Sequence, residues 1–304
     1  MVSIVLPVYN ASATVKCMLG SIEAQTLHDF EVLMIDDGST DESGRILDEY
    51  AAMDTRFKAF HKQNEGVAIA RQMGVDNAKG EYCIHADADD WMEPTMLEFL
   101  YAEAKAKDAD VVIADYFVNS KQGEAVCKQQ PSVLSPEQVL QDMFDNRLFG
   151  ALWHKLVRTE LYRKYDAKFF KGINHCEDLL IWVQLLQHPE IKISYLPEAF
   201  YHYVANDTSI TRHFTRKTYE MRLQFRDKLH ELLHIADADS MIERVSFEIF
   251  TEGFIYDVLT REETREGLCM YKQQISALGS LKWKIGFFML RMGMIKGAHR
   301  FIHY

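Results

Sequence analysis

The sequence predicts an α/β fold, a mostly parallel sheet flanked by helices, with a C-terminal helical region. Short apolar runs alternate with amphipathic stretches through roughly the first 118 residues. Those runs are apolar without a break, the pattern of strands covered on both faces. From about Thr215 onward the pattern is helical alone. A chain of 304 residues accommodates one large domain with an appendage.

Val2–Val8 reads as a buried strand. A helix from Ser12 or Ala13 to Gln25 would place Val15, Leu19 and Ile22 on one face. Glu31–Ile35 is a second strand, ending in Asp36-Asp37-Gly38-Ser39-Thr40, and a helix from about Asp41 turns Ile46, Leu47, Tyr50 and Met53 inward. Lys58–His61 is a third strand, and the helix Val67–Asn77 stops at Lys79-Gly80, a C-terminal glycine signal. Glu81–Ala86, Pro94–Lys107 and Asp110–Val118 follow as strand, helix and strand. Beyond Lys121 the alternation fades: Ser135–Asn146 and Glu177–Gln187 read as helices, and Ile191–Tyr203 as two short extended segments around Pro197. Ser246–Leu259 and Leu281–Tyr304 are the clearest later helices. The expected division is a domain of residues 1–214, in halves 1–118 and 119–214, followed by a helical region 215–304.

Hydrophobic residues make up 48% of the chain and charged residues 26%, enough apolar material for a core. A net charge of −11 excludes non-specific nucleic-acid binding, which needs a basic surface. The five cysteines are scattered, with no C-x-x-C spacing, and read as reduced, buried thiols of a cytoplasmic protein. The start lacks a secretory signal pattern, and no apolar run is long enough to span a bilayer.

In sheets of this kind ligands bind beyond the carboxyl ends of the strands. Asn10, Asp36-Asp37 and Asp87-Ala88-Asp89-Asp90 all fall there. No G-x-G-x-x-G follows the first strand, and no G-x-x-x-x-G-K-[ST] loop occurs, so glycine amides do not cradle phosphate. A divalent cation is another way to hold a diphosphate. Mg²⁺ or Mn²⁺ takes one or two carboxylates, and Asp87 with Asp89 supplies them from one turn. Read alone, the turn is equally a solvated one, with Asp90 and Glu93 capping the next helix. Asp36–Ser39 read alone is equally a helix-capping turn.

Taken in order, Val5-Leu-Pro-Val-Tyr-Asn10, Ile35-Asp-Asp-Gly-Ser-Thr-Asp41, Asn64-Glu-Gly-Val-Ala-Ile-Ala-Arg71 and Asp87-Ala-Asp-Asp90 resemble a family 2 glycosyltransferase of the GT-A fold. Trp153-His-Lys-Leu-Val-Arg158 and Glu177-Asp178 extend the resemblance over about residues 1–213, with His154 where the family usually has Asn. The resemblance implies a nucleotide-sugar donor, most often a UDP-sugar, and transfer with inversion in polysaccharide or glycolipid synthesis. It implies that Pro7, Val8 and Tyr9 line the base and ribose pocket and that Asp37 hydrogen-bonds the base. Asn64 and Arg71 would support the nucleotide site. Asp87 and Ala88 would lie against ribose or metal-bound water, Asp89 would ligate Mn²⁺ or Mg²⁺, and Asp90 would support the site or face the sugar. Asp178 would be the base. Glu177 would be an acceptor or donor contact, and Trp153 would stack on a sugar face or sit in the core.

The expected acceptor is a saccharide or lipid-linked hydroxyl. Leu281–Tyr304 carries Lys282, Lys284, Arg291, Lys296 and Arg300 among aromatic and aliphatic residues, without an acid. Such a helix lies on a membrane surface or packs on protein. The motifs carry no signal of oligomeric state. Competing readings are a nucleotidyltransferase, which lacks its usual basic loop here, and a carbohydrate-binding scaffold without activity.

Overall fold

In the computed structural model, residues 1–205 and 214–291 are described. The chain forms two compact units, Met1–Asp207 and Thr208–Tyr304.

The first unit begins β1 (Val2–Val8), α1 (Val15–Glu23), β2 (Phe30–Asp36), α2 (Ser43–Met53), β3 (Phe57–His61), α3 (Val67–Asn77) and β4 (Tyr82–His85). It continues with β5 (Trp91–Met92), α4 (Met96–Lys107), β6 (Val111–Ser120), β7 (Gly123–Cys127), α5 (Pro136–Phe144), β8 (Lys155–Arg158), α6 (Glu160–Lys164), α7 (Glu177–Leu186) and β9 (Ile193–Val204). The sheet order is β3-β2-β1-β4-β8-β6-β9-β5, with β7 paired to β6.

The parallel expectation holds for the first four strands, which pair β3-β2-β1-β4. β1 and β2 are buried at every residue, as their unbroken apolar runs require. The second half is mixed: β8 runs antiparallel to both β4 and β6, and β6 is parallel to β9. Pro7 sits in β1 without breaking the ladder, because β4 pairs with β1 only through Val5 and leaves the far end unpaired on that side.

The core lies between the sheet and its helices. One cluster joins Ile4 and Leu6 of β1, Val15, Leu19 and Ile22 of α1, and Leu97 and Leu100 of α4. The polar end of β1 is also satisfied: Ser3 Oγ donates to Glu31 Oε1 at 2.6 Å, and Lys58 Nζ reaches Glu31 Oε2 at 2.5 Å. Here the packing orders the ends of β1, β2 and β4, which deliver the three polar clusters.

The second unit contains α8 (Arg216–Leu232), α9 (Ala238–Ile255), α10 (Arg261–Met270), α11 (Lys272–Ala277) and α12 (Leu281–Arg291). Thr215 and Thr260 each close a capping box, starting α8 and α10 where the backbone donors need partners. Phe287 and Leu290 of α12 are buried with Phe250, Phe254 and Tyr271, so part of the basic tail belongs to a core. Ile285 and Phe288 remain exposed beside Lys282 and Lys284. Residues 292–304 of the expected tail helix, and His213, lie outside the described residues.

All five cysteines are free thiols, but only Cys83 is fully buried; Cys17 and Cys269 are exposed, which corrects the expectation of buried thiols. No helix among the described residues is long and apolar enough to cross a membrane.

Candidate active site

The loops after β1 and β2 brace each other. Asn10 takes a left-handed conformation with φ 48°, and its Oδ1 accepts from Thr40 N at 2.8 Å. The amides of Ala11 and Ser12 donate to Ser43 Oγ and Asp41 Oδ2. This fixes the shelf that carries Pro7, Val8 and Tyr9. Val8 is buried beneath it, while Tyr9 keeps 51% of its surface exposed and free to meet a flat ligand.

Asp37 is buried, and protein donors already hold its carboxylate. Lys62 Nζ approaches Oδ1 at 2.6 Å, while Glu65 N and Gly66 N donate at 3.0 and 2.8 Å. In the structure Asp37 ties down the 62–66 loop, which includes exposed Asn64. Gly66 is required there: its φ is +95°, and a Cβ would lie 2.3 Å from Asn174 Nδ2. Beneath this turn, burial opposes ionisation of Asp36, but hydrogen bonds from Ser39 and His61 outweigh it and hold the carboxyl below its usual range.

Arg71, on buried α3, is the hub. Its guanidinium donates to Asp178 Oδ1 at 2.5 Å and to Asp87 Oδ1 at 2.8 Å, joining segments 107 and 16 residues away. Glu177 Oε1 stands 3.9 Å from Arg71 Nε, too far for a hydrogen bond. Asp178 also accepts from Leu152 N at 3.3 Å. The Glu177-Asp178 pair opens α7, where acids favour the helix dipole. Cys176 enters that helix with φ 63° and turns the acids toward Arg71.

The Asp87–Asp90 turn is built asymmetrically. Asp90 is buried: Tyr201 Oη donates to Oδ2 at 2.9 Å, and Val204 N donates to Oδ1 at 2.8 Å. Tyr201 Oη in turn accepts from Asp87 N at 2.9 Å. Asp89 points outward and is exposed, and Ala88 is buried beside it. Burial, with Asp87 and Asp89 nearby, pushes the Asp90 carboxyl up to about 8. Asp87 is pushed up to about 6, by burial against the pull of Arg71 and then by Asp178 and Asp89. Its side chain keeps 29% of its surface open, so solvent moderates that push. Glu177 is pushed up to about 7 by burial and by Asp178. Asp87, Asp178 and, at longer range, Glu177 share the Arg71 guanidinium, so among the described residues acids outnumber cations here.

Among the described residues no group of three or more His, Cys, Asp or Glu side chains is placed to hold a metal ion. The donor set nevertheless fits a hard cation that takes one or two carboxylates and completes its shell with phosphate and water. Exposed Asp89 is the ligand to offer, with Asp87 beside it. Burial is the largest cause of the raised carboxyls, and repulsion among Asp87, Asp89 and Asp90 adds to it; a bound cation would relieve that added part.

Of the two positions expected for Trp153, sugar face or core, the structure has it in the core. It is 3% exposed and stacks on Tyr201 with centroids 4.5 Å apart, so its ring holds Tyr201 in place. Tyr201, Asn174 and Lys62 are site-building residues that the motifs missed. Tyr201 lies in the Tyr201-His-Tyr string, where the histidine draws attention; nothing in the sequence marks Asn174, which joins α3 by accepting from Ala68 N across 106 residues. His202 is buried between Trp91 and Phe117 and bonds Asn119 and Glu93, a structural position.

Comparison with known proteins identifies the family and the fold. Residues 3–165 match the family described as Glycosyl transferase family 2. EpsH of Bacillus subtilis (strain 168), named as a glycosyltransferase, is 30% identical over 228 residues, 73% of this chain and 66% of its own. The cholesterol galactosyltransferase of Borreliella burgdorferi is 33% identical over 216 residues, 66% of this chain and 59% of its own. The chain thus spans about two thirds or less of the length of these relatives. Residues 1–349 of S. aureus TarS, crystallised with UDP-GlcNAc, superpose with a TM-score of 0.72 at 20% identity, covering 99% of this chain and 90% of that one. The fold is therefore of the GT-A type, and the chain belongs to glycosyl transferase family 2.

Proposed function

We propose that the protein is an inverting glycosyltransferase that moves a sugar from a UDP-sugar to a hydroxyl of a saccharide or lipid-linked acceptor, in polysaccharide or glycolipid synthesis. The observation that carries this reading is Arg71, which draws Asp87 of the donor turn and Asp178 of α7 onto one guanidinium. Family membership supports a nucleotide-sugar donor, and the TarS fold relative was crystallised with UDP-GlcNAc.

Inversion is a single in-line displacement. The acceptor oxygen forms a bond to the anomeric carbon as the bond to the diphosphate oxygen breaks, and the hydroxyl proton passes to Asp178. Arg71 holds one oxygen of that carboxylate and Leu152 N–H rests on the other at 3.3 Å, fixing the direction in which it accepts. Exposed Tyr9 offers a face to the base, with Pro7 and Val8 below it. Asp89, with Asp87 beside it, is the place for Mn²⁺ or Mg²⁺, which when bound neutralises charge on the leaving diphosphate. Glu177, pushed up to about 7 by burial and by Asp178, borders the base as an acceptor or donor contact, while Asp90, closed off by Tyr201 and the Val204 amide, supports the donor turn. The exposed Ile285 and Phe288 of α12, next to Lys282 and Lys284, support peripheral contact with an anionic membrane surface through segment 281–304.

Hydrolysis of UDP-sugars tests the reading. The wild type with Mn²⁺ is expected to release UDP slowly without acceptor and faster with one. Asp178→Asn is expected to lose about 10²–10⁴-fold in transfer, the usual worth of a positioned base, while still binding UDP. Full transfer activity in that variant would remove Asp178 from the role, and intact donor in every condition would favour a scaffold.

A further inference from the structure

Phe149 stands out among the large hydrophobic side chains of the first unit. It is 47% exposed, yet its main chain is held by two fully buried polar side chains. Gln129 Oε1 accepts from Phe149 N at 2.7 Å, and Lys155 Nζ donates to Phe149 O at 2.6 Å. Lys155 also donates to Ala151 O at 2.8 Å and contacts His154 Nε2, so all three of its donors are used. Burying a lysine is unfavourable, and this one has its ammonium pushed well below the ordinary range by burial. An exposed aromatic held this firmly is preorganised for contact rather than left over from packing.

Its surroundings locate the contact. Phe149 begins the segment that ends at Leu152, whose N–H rests on Asp178. Between them, Gly150 O accepts from Trp182 Nε1 of α7 at 2.8 Å. On its inner side the Phe149 ring meets Tyr116 at 6.0 Å and Trp153 at 5.8 Å between centroids. Trp153 stacks on Tyr201, whose hydroxyl bonds Asp90 and the amide of Asp87. Phe149 is thus connected to the base through one short loop and to the donor turn through two rings. A rigid aromatic face at that place suits the apolar face of a sugar ring, whose outward C–H groups pack on a π-system while its hydroxyls stay wet.

We propose that Phe149 is the platform for the acceptor, that the acceptor is a saccharide, and that Lys155 and Gln129 are positioning residues for it. This deepens the glycosyltransferase reading and rests on it. The buried Trp153, the sequence candidate for a sugar contact, then acts as the support behind the platform.

The test uses the full chain and measures two affinities side by side, for UDP and for defined oligosaccharides, with chito-oligosaccharides and galacto-oligosaccharides as probes. Phe149→Ala is expected to weaken the best-bound oligosaccharide by about tenfold, the scale of one lost aromatic contact, and to leave UDP affinity within about twofold. Phe149→Trp is expected to restore saccharide binding, which a merely structural role would not do because a larger ring disturbs packing. Lys155→Met is expected to weaken oligosaccharide binding while keeping UDP binding, as a check on positioning. Saccharide affinity unchanged in Phe149→Ala, with UDP binding intact, overturns the platform and leaves the glycosyltransferase reading standing. Loss restricted to phosphatidylglycerol vesicles, with oligosaccharide binding unchanged, overturns the saccharide assignment. A wild type that binds neither UDP nor any oligosaccharide overturns both.

Discussion

Asp90 shows how much a single residue can carry. Among the described residues it has no cation partner; it is buried under Tyr201 and the Val204 amide, and pushed up to about 8. An unfolded aspartate titrates near 4. A folded value above the unfolded one means stability that is complete below about pH 4 and lost as pH rises through the folded value. Metal-free protein is therefore expected to melt at falling temperatures between about pH 5 and pH 8. Asp90→Asn, which keeps an acceptor for Tyr201 but cannot ionise, is expected to flatten that fall. His61 pulls the same way, since hydrogen bonds to Asp36 and Asp48 raise it, and the variant leaves it untouched. Parallel melting curves for wild type and variant across this range would contradict the assignment of a strained acid at Asp90. The aspartates themselves were legible as a cluster. Which of them is buried was not, because that depends on Tyr201, which lies 111 residues away.

At the scale of elements, α3 and β1 matter most, because α3 carries Arg71. Gly74 lets that helix lie close on the sheet: a Cβ there would fall 2.3 Å from Val5 Cγ1. Valine is stiff about χ1 and cannot swing away cheaply. Gly74→Ala is expected to destabilise the first unit by about 1–3 kcal/mol through overpacking, despite the better helix propensity of alanine. A chemical denaturation midpoint equal to or above that of wild type would show that the helix can shift. The early strands and helices were legible because their apolar runs are long and periodic. β8, Lys155–Arg158, was not: its lysine is buried by tertiary hydrogen bonds, which no local pattern announces. β5 is two residues long and exists through pairing with β9. The β9 segment was read as two pieces because Pro197 interrupts it, whereas the strand continues past a register shift after Ala114.

For the whole molecule, the account rests on charge. A chain with a net charge of −11 places Asp87, Glu177 and Asp178 around Arg71, with Asp89 and Asp90 on the same turn as Asp87; burial first, and neighbouring acids second, raise Asp87, Asp90 and Glu177. Such a site repels an anionic donor unless a cation arrives with it. The order of the N-terminal motifs foretold where this cleft lies, since polar turns after parallel strands share one rim. The convergence of α7 on α3 was not foretold by any spacing, and came only through resemblance. The most direct measurement is a calorimetric titration of UDP into wild type and Asp89→Ala, with and without Mn²⁺. Tight binding only with Mn²⁺ in the wild type, and loss of that dependence in Asp89→Ala, is the predicted result. Equal UDP affinity with and without the cation, in both proteins, would contradict the claim.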